Sequence, residues 1–200
     1  MARPIRFLCE NLWLQGILED NGAARAMVIT HPHPLYGGDM DNPVVMAIAA
    51  ACRRKGLSSL RFNFRGVGAS QGAYDHGRGE QQDLLAALAY LRAAGFEADL
   101  VAGYSFGSWV NARAAVAAGV DAGQIMVSPP VAVLDFDSLP ALPGLRLAVT
   151  GAGDAIAPAE AVGALVKRLN PAARVVVIPR ADHFYGGALT QLETALAEAL

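Results

Sequence analysis

The sequence is poor in cysteine, in histidine and in charge, and each shortage excludes something. Cys9 and Cys52 are its two cysteines in 200 residues. They have no Cys-x-x-Cys spacing for redox or metal work, and they read as buried thiols used as small apolar residues. Charged side chains make up 17% of the chain and sum to a net −2. No end carries a run of like charge, so the basic patch that a nucleic-acid surface needs is missing. No stretch of about twenty apolar residues offers a membrane span. The N-terminal segment carries Glu10 and Glu19 and no unbroken apolar core, so no signal peptide is expected and the expected compartment is the cytoplasm. Internal repeats, linkers and low-complexity tracts are absent. The expected partner is a small molecule, not nucleic acid or membrane; the oligomeric state stays open.

What is present is apolar side chain, 54% of the residues. That is enough for one generous core, and residues 1–200 are expected to form a single domain. Short apolar runs alternate with helical stretches, the pattern of a mostly parallel sheet covered by helices on both faces. Eight strands are predicted: Ile5 to Cys9, Leu12 to Leu18, Ala26 to Thr30, Ser59 to Phe64, Leu100 to Ser105, Gln124 to Val127, Leu145 to Thr150 and Arg174 to Ile178. The first two form an antiparallel edge. Asn42 and Pro43 make a good helix start, running to about Lys55. Further helices are predicted over Gly79 to Ala94, Ser108 to Ala118, Ala159 to Leu169 and Gly187 to Leu200.

The chemistry gathers at strand ends. Gly103-Tyr104-Ser105-Phe106-Gly107 joins the fifth strand to a helix. Such a turn forces the serine into a strained conformation, and glycines two residues to either side let strand and helix approach. A serine hydroxyl is a weak nucleophile that needs a base, and the base needs an orienting acid. Asp154 follows the seventh strand and His183 follows the eighth. Asp135 and Asp137, after the sixth strand, are the alternative acids.

Ser105, Asp154 and His183, in that order and each just past a strand, resemble the α/β-hydrolases. The stretches His31-Pro32-His33-Pro34 and Phe62-Asn63-Phe64-Arg65-Gly66-Val67-Gly68 resemble a small, lidless, dienelactone-hydrolase-like bacterial group of that family. The resemblance implies an α/β-hydrolase fold without a lid domain and a serine hydrolase cleaving small acyl esters or thioesters through an acyl-enzyme. It implies Ser105 as nucleophile, His183 as base and Asp154 as acid. The expected oxyanion donors are the backbone N–H groups of Phe106 and Leu35, since Pro32 and Pro34 have none. Acyl transfer, peptide cleavage and ligand binding without turnover remain as alternatives.

Other candidates are weaker. His33 and Tyr36 lie in the loop expected to face the serine, as candidate pocket residues. Val131, Leu134 and Phe136 occupy the short segment where larger relatives insert a lid; they either line the pocket or cover the sheet. His31 and His33 supply two imidazoles where a catalytic zinc site wants three ligands, so neither metal nor cofactor is expected. Gly66 to Gly72 has the wrong spacing for a dinucleotide loop.

Overall fold

The computed structural model describes residues 1–200. The strands are β1 (Ala2–Cys9), β2 (Leu12–Glu19), β3 (Arg25–Thr30), β4 (Ser58–Phe62), β5 (Glu97–Tyr104), β6 (Gly123–Val127), β7 (Leu145–Gly151) and β8 (Arg174–Ile178). The helices are α1 (Pro43–Arg54), α2 (Arg78–Ala93), α3 (Phe106–Ala118), α4 (Ala159–Leu169) and α5 (Leu189–Ala199). One eight-stranded sheet runs in the order β1-β2-β4-β3-β5-β6-β7-β8. β1 and β2 are antiparallel to each other, β2 is antiparallel to β4, and the remaining pairs are parallel.

Strand alternation sorts the core onto two faces. Met27, Ile29, Leu100, Ala102, Ile125, Val127, Leu147 and Val149 pack with the apolar sides of α1 and α5. Their neighbours Ala26, Val28 and Val101 point the other way, into the cluster with α2 and α3. Met126 and Ala148 meet α4 on that second face. Strands buried on both sides account for the continuous apolar runs in the sequence.

Local signals set the element ends. The Asn42 side chain accepts the Val44 N–H at 2.9 Å and caps α1, with Pro43 at its first position. β4 stops at Phe62, two residues before the predicted end. There the Asn63 N–H turns to the Gln15 carbonyl and the Phe64 N–H to the His31 ring. β5 starts at Glu97, earlier than its apolar run, because Arg25 and Asp99 pair across β3 and β5 and make polar residues tolerable there.

Between β6 and β7 no helix or strand forms, and no lid covers the sheet. Phe136, Leu139 and Leu142 are buried against Val162, Leu165 and Leu169 of α4. The Arg168 guanidinium donates to the carbonyls of Phe136 at 2.6 Å and Leu139 at 2.7 Å. The segment is thus stapled flat onto α4. No helix is long and apolar enough to cross a membrane. Both cysteines are buried, and burial above all pushes each thiol up to about 12.

An ion pair anchors the long connection from β4 to α2. Arg65 Nη2 lies 2.8 Å and Nε 3.0 Å from Asp83 Oδ1, and the Arg65 N–H donates to Asp83 Oδ2 at 2.9 Å. Asp83 is fully buried and Arg65 nearly so. Removing one member strands the other charge, at a cost of about 3–5 kcal/mol. Asp83→Ala should therefore lower the unfolding free energy by about that amount in urea titrations; a loss below 1 kcal/mol would show that water reaches Arg65 freely.

Candidate active site

All six loops that follow β3 to β8 open on one edge of the sheet, the edge where α/β proteins place their ligands. The centre of that edge is Ser105, between β5 and α3. Its backbone sits at φ 52° and ψ −118°. The flanking glycines are explained by contact distances. A Cβ on Gly103 would lie 2.4 Å from the Gly107 carbonyl carbon and the Ser108 nitrogen. One on Gly107 would lie 2.6 Å from Thr30 Oγ1 and 2.8 Å from the His31 carbonyl oxygen. Glycine at both places lets α3 start immediately behind the serine, at Phe106 and not at Ser108 as predicted.

The turn brings Ser105 to the loops after β7 and β8. Ser105 Oγ lies 3.0 Å from His183 Nε2. His183 Nδ1 lies 2.9 Å and 3.0 Å from the two carboxylate oxygens of Asp154. Asp154 also accepts the N–H groups of Ile156 at 2.9 Å and Ala157 at 2.7 Å. Burial pushes its carboxyl up, but hydrogen bonds from the His183 ring and the Ala157 amide outweigh that and hold it below the usual carboxylate range. The Asp154 carboxylate thus favours a proton on His183 Nδ1 and leaves Nε2 to accept one from Ser105. Asp135 and Asp137 are both exposed. Asp135 Oδ1 is engaged by the N–H groups of Asp137 and Ser138, so neither is brought to His183.

Several side chains that hold this arrangement were not singled out from sequence. The Tyr104 hydroxyl donates to the His183 carbonyl at 2.9 Å, so the residue before Ser105 grips the loop that carries His183. Tyr185 is fully buried, with its hydroxyl 2.9 Å from Ser128 Oγ. Their sequence signal was adjacency to Ser105 and His183, with nothing to tell which way either ring points.

Two expectations are corrected. The Leu35 N–H is not free to face the serine. It donates to Nδ1 of the His33 ring at 3.2 Å, because Pro34 to Tyr36 form a single 3-10 turn capped by that imidazole. Phe136 is core, 4% exposed and packed on α4, and the concavity it borders does not reach Ser105. Val131 and Leu134 are half-buried and line a shallow concavity with Ala161, Ala164 and Arg168, which does not include Ser105. His33 lies close to Phe106, the residue after Ser105, and Tyr36 lies against His33. The His33 ring stands 4.8 Å from both the Phe106 and Tyr36 rings.

No protein-family model matches the chain. An uncharacterised protein of Rickettsia prowazekii (strain Madrid E) is 36% identical over 168 residues, covering 79% of this chain and 71% of that one. The solved structure of an α/β serine hydrolase homologue from Coxiella burnetii is 37% identical and superposes with a TM-score of 0.91, covering 99% of this chain and 97% of its own. A crystal structure from Xanthomonas campestris, described as an α/β serine hydrolase without a lid, is 31% identical at a TM-score of 0.90, covering 99% and 93%. The chain belongs to the α/β serine hydrolases.

In this α/β serine hydrolase the first histidine of the loop after β3 has a structural task. His31 is fully buried; its Nε2 accepts the Phe64 N–H at 3.0 Å, and Nδ1 lies 2.7 Å from the Pro32 carbonyl. Nδ1 therefore carries the proton of a neutral ring. Burial drives its pKa down to about 4, against a small opposing effect of the Pro32 hydrogen bond. The unfolded chain takes up this proton near pH 6.5, the folded protein only near 4. The unfolded state thus binds more protons between those values, and stability falls as pH drops through that window. The contribution is complete above about pH 6.5 and amounts to roughly 3 kcal/mol. His31→Gln should be less stable at pH 7, yet lose about 2–3 kcal/mol less than the wild type between pH 7 and 4.5 in urea unfolding. Parallel pH curves for the two proteins would remove His31 from the acid response.

Proposed function

We propose that this hydrolase cleaves small acyl esters or thioesters through a Ser105–His183–Asp154 triad. The hydrogen-bonded chain from Ser105 Oγ through His183 to Asp154 carries the reading. Ser105 Oγ attacks the acyl carbon as its proton passes to His183 Nε2. The carbonyl electrons move onto oxygen, then return and expel the leaving group, which takes the proton from His183. Water attacks the resulting acyl-enzyme with His183 again as base, releasing the acid and restoring Ser105.

The oxyanion needs fixed N–H donors, each worth about 2.7–4 kcal/mol of barrier. Phe106 is the first residue of α3, and its N–H has no acceptor within the helix. For the second donor, residues 32–38 of the loop after β3 leave one suitable group. Pro32 and Pro34 have no N–H, Leu35 donates to the His33 ring, and Tyr36 and Gly38 both donate to the His33 carbonyl. Gly37 is exposed on the outer turn. The backbone N–H of His33, beside the point where Gly107 meets His31, is the donor we assign.

A fluorophosphonate probe tests the nucleophile. Wild type should be labelled and Ser105→Ala should not, with ester turnover lost in parallel. Asp154→Asn should reduce kcat by orders of magnitude, about 10⁴ where the analogous tautomer is disturbed. Asp135→Asn and Asp137→Asn should stay within a few-fold of wild type. Undiminished esterase activity in purified Ser105→Ala, or a crippled Asp135→Asn beside an active Asp154→Asn, defeats the assignment.

Substrate size follows from the open edge. Leu35, Tyr36, Val133 and Phe184 are exposed on loops of this edge, and no lid encloses them. A long acyl chain gains at most about 0.8 kcal/mol per methylene, and only where it is buried. Across p-nitrophenyl esters, kcat/KM should peak at acyl groups of roughly two to six carbons, without interfacial activation. A maximum at ten carbons or more would point to a covered channel.

A further inference from the structure

The connection between β4 and α2 spans residues 63–77 without helix or strand, yet it is held as firmly as an element. The Arg65–Asp83 pair fixes its start. Its end is fixed by buried Glu80, whose carboxylate accepts the N–H groups of Asp75 at 2.9 Å and Gly77 at 2.7 Å. Tyr74 stands on this anchored backbone, half-buried, with its ring 4.9 Å from His33 and 5.9 Å from Phe106.

Hydrogen-bond directions at this corner are determined. The Leu35 N–H donates to His33 Nδ1, so that nitrogen carries no proton. Burial, assisted by neighbouring His76, lowers the His33 pKa and keeps the ring neutral. The ring proton is therefore on Nε2, which donates to the Tyr74 oxygen at 3.1 Å. The Tyr74 hydroxyl proton is then left over, with no acceptor within the protein. Burial, then Glu80 and Tyr36, raise the phenol's pKa and keep that proton in place. This O–H donor has no acceptor in the protein; on a half-buried residue beside the one that follows Ser105, it is left to donate to solvent or to a bound substrate. The adjoining Tyr36 ring is 87% exposed.

We infer that Tyr74 determines specificity: its hydroxyl donates to an oxygen carried by the acyl half of the substrate, so alkoxy-, hydroxy- or oxo-acyl esters are preferred over their hydrocarbon isosteres. This rests on the ester-hydrolase reading of Ser105. The acyl half is assigned by elimination. The leaving group must lie against His183, which protonates it, and His183 follows β8. Tyr74 follows β4, and the strand order puts β4 and β8 on opposite sides of β5 and Ser105. A site that offers a donor discriminates against the analogue lacking the acceptor, because the donor's water is lost without replacement.

Isosteric substrates test this. p-Nitrophenyl methoxyacetate and butyrate differ by an oxygen for a methylene, and 3-methoxypropionate and pentanoate place the oxygen one atom further out. kcat/KM is measured for all four with wild type and Tyr74→Phe, which keeps the ring and its packing. Comparing the variant's loss within each pair cancels the intrinsic reactivity of the esters. In at least one pair, Tyr74→Phe should lose about five- to tenfold more on the oxygenated member than on the hydrocarbon. A purely structural role would lower both members alike. A differential above twofold in either pair supports the inference, and losses equal within twofold in both pairs overturn it. Wild-type failure on all four esters, or equal labelling of wild type and Ser105→Ala, overturns the hydrolase reading and this inference with it.

Discussion

Ser105 is held at φ 52° on a non-glycine residue, and the rest of the site depends on that constraint. Such a conformation costs on the order of 1–3 kcal/mol and persists only where its surroundings over-determine it. Here they do. Behind the serine, α3 abuts β5 and the end of β3 so closely that Gly103 and Gly107 admit no side chain. In front, the Ser105 N–H donates to the Val127 carbonyl at 2.8 Å, tying the turn to β6. The Ser108 hydroxyl returns to the Ser105 carbonyl at 2.6 Å. The hydroxyl is thereby presented at the sheet edge, with the helix N-terminus behind it favouring developing negative charge.

Around that fixed point, loops stand in for a lid as the source of order. Several are tied to one another by a side chain that bonds to backbone. His31 accepts the Phe64 N–H, Asn63 accepts the Met40 N–H, and Tyr104 donates to the His183 carbonyl. The acid loop meets the histidine loop through the Gly153 N–H, which donates to the Ala181 carbonyl at 2.8 Å. These bonds satisfy backbone groups that the loops would otherwise bury unpaired. They also fix distances between residues far apart in sequence, as a preorganised site requires.

What the sequence disclosed and what it hid divide along a physical line. Periodicity and strand-end position are local, so the eight strands, the five helices and the placement of Ser105, Asp154 and His183 at strand ends could be read directly. Direction is not local. The Leu35 N–H looked available until the 3-10 turn at Pro34 folded it onto the His33 ring. Phe136 looked like a wall because a short proline-rich segment does not reveal whether it lies against the site or against α4. Arg168, in the last turn of that helix, decides it. Tyr74 sits in a connection with no period at all, and its importance lies in a proton that only the hydrogen-bond count locates.

The absence of a lid changes what can carry selectivity. An enclosed pocket discriminates by apolar area, since every methylene removed from water counts. On this open edge the apolar groups at hand, Leu35, Tyr36, Val133 and Phe184, remain largely in water, and area discriminates weakly. A directional hydrogen bond does not need enclosure to the same degree; it needs a donor whose position is fixed and whose proton is uncommitted. The anchoring of residues 63–77 by Arg65, Asp83 and Glu80 supplies the first condition, and the tautomer imposed on His33 by the Leu35 N–H supplies the second. The 3-10 turn that takes Leu35 away from the oxyanion thus has a consequence of its own: it sets the proton on His33 that leaves the Tyr74 hydroxyl free to read the substrate.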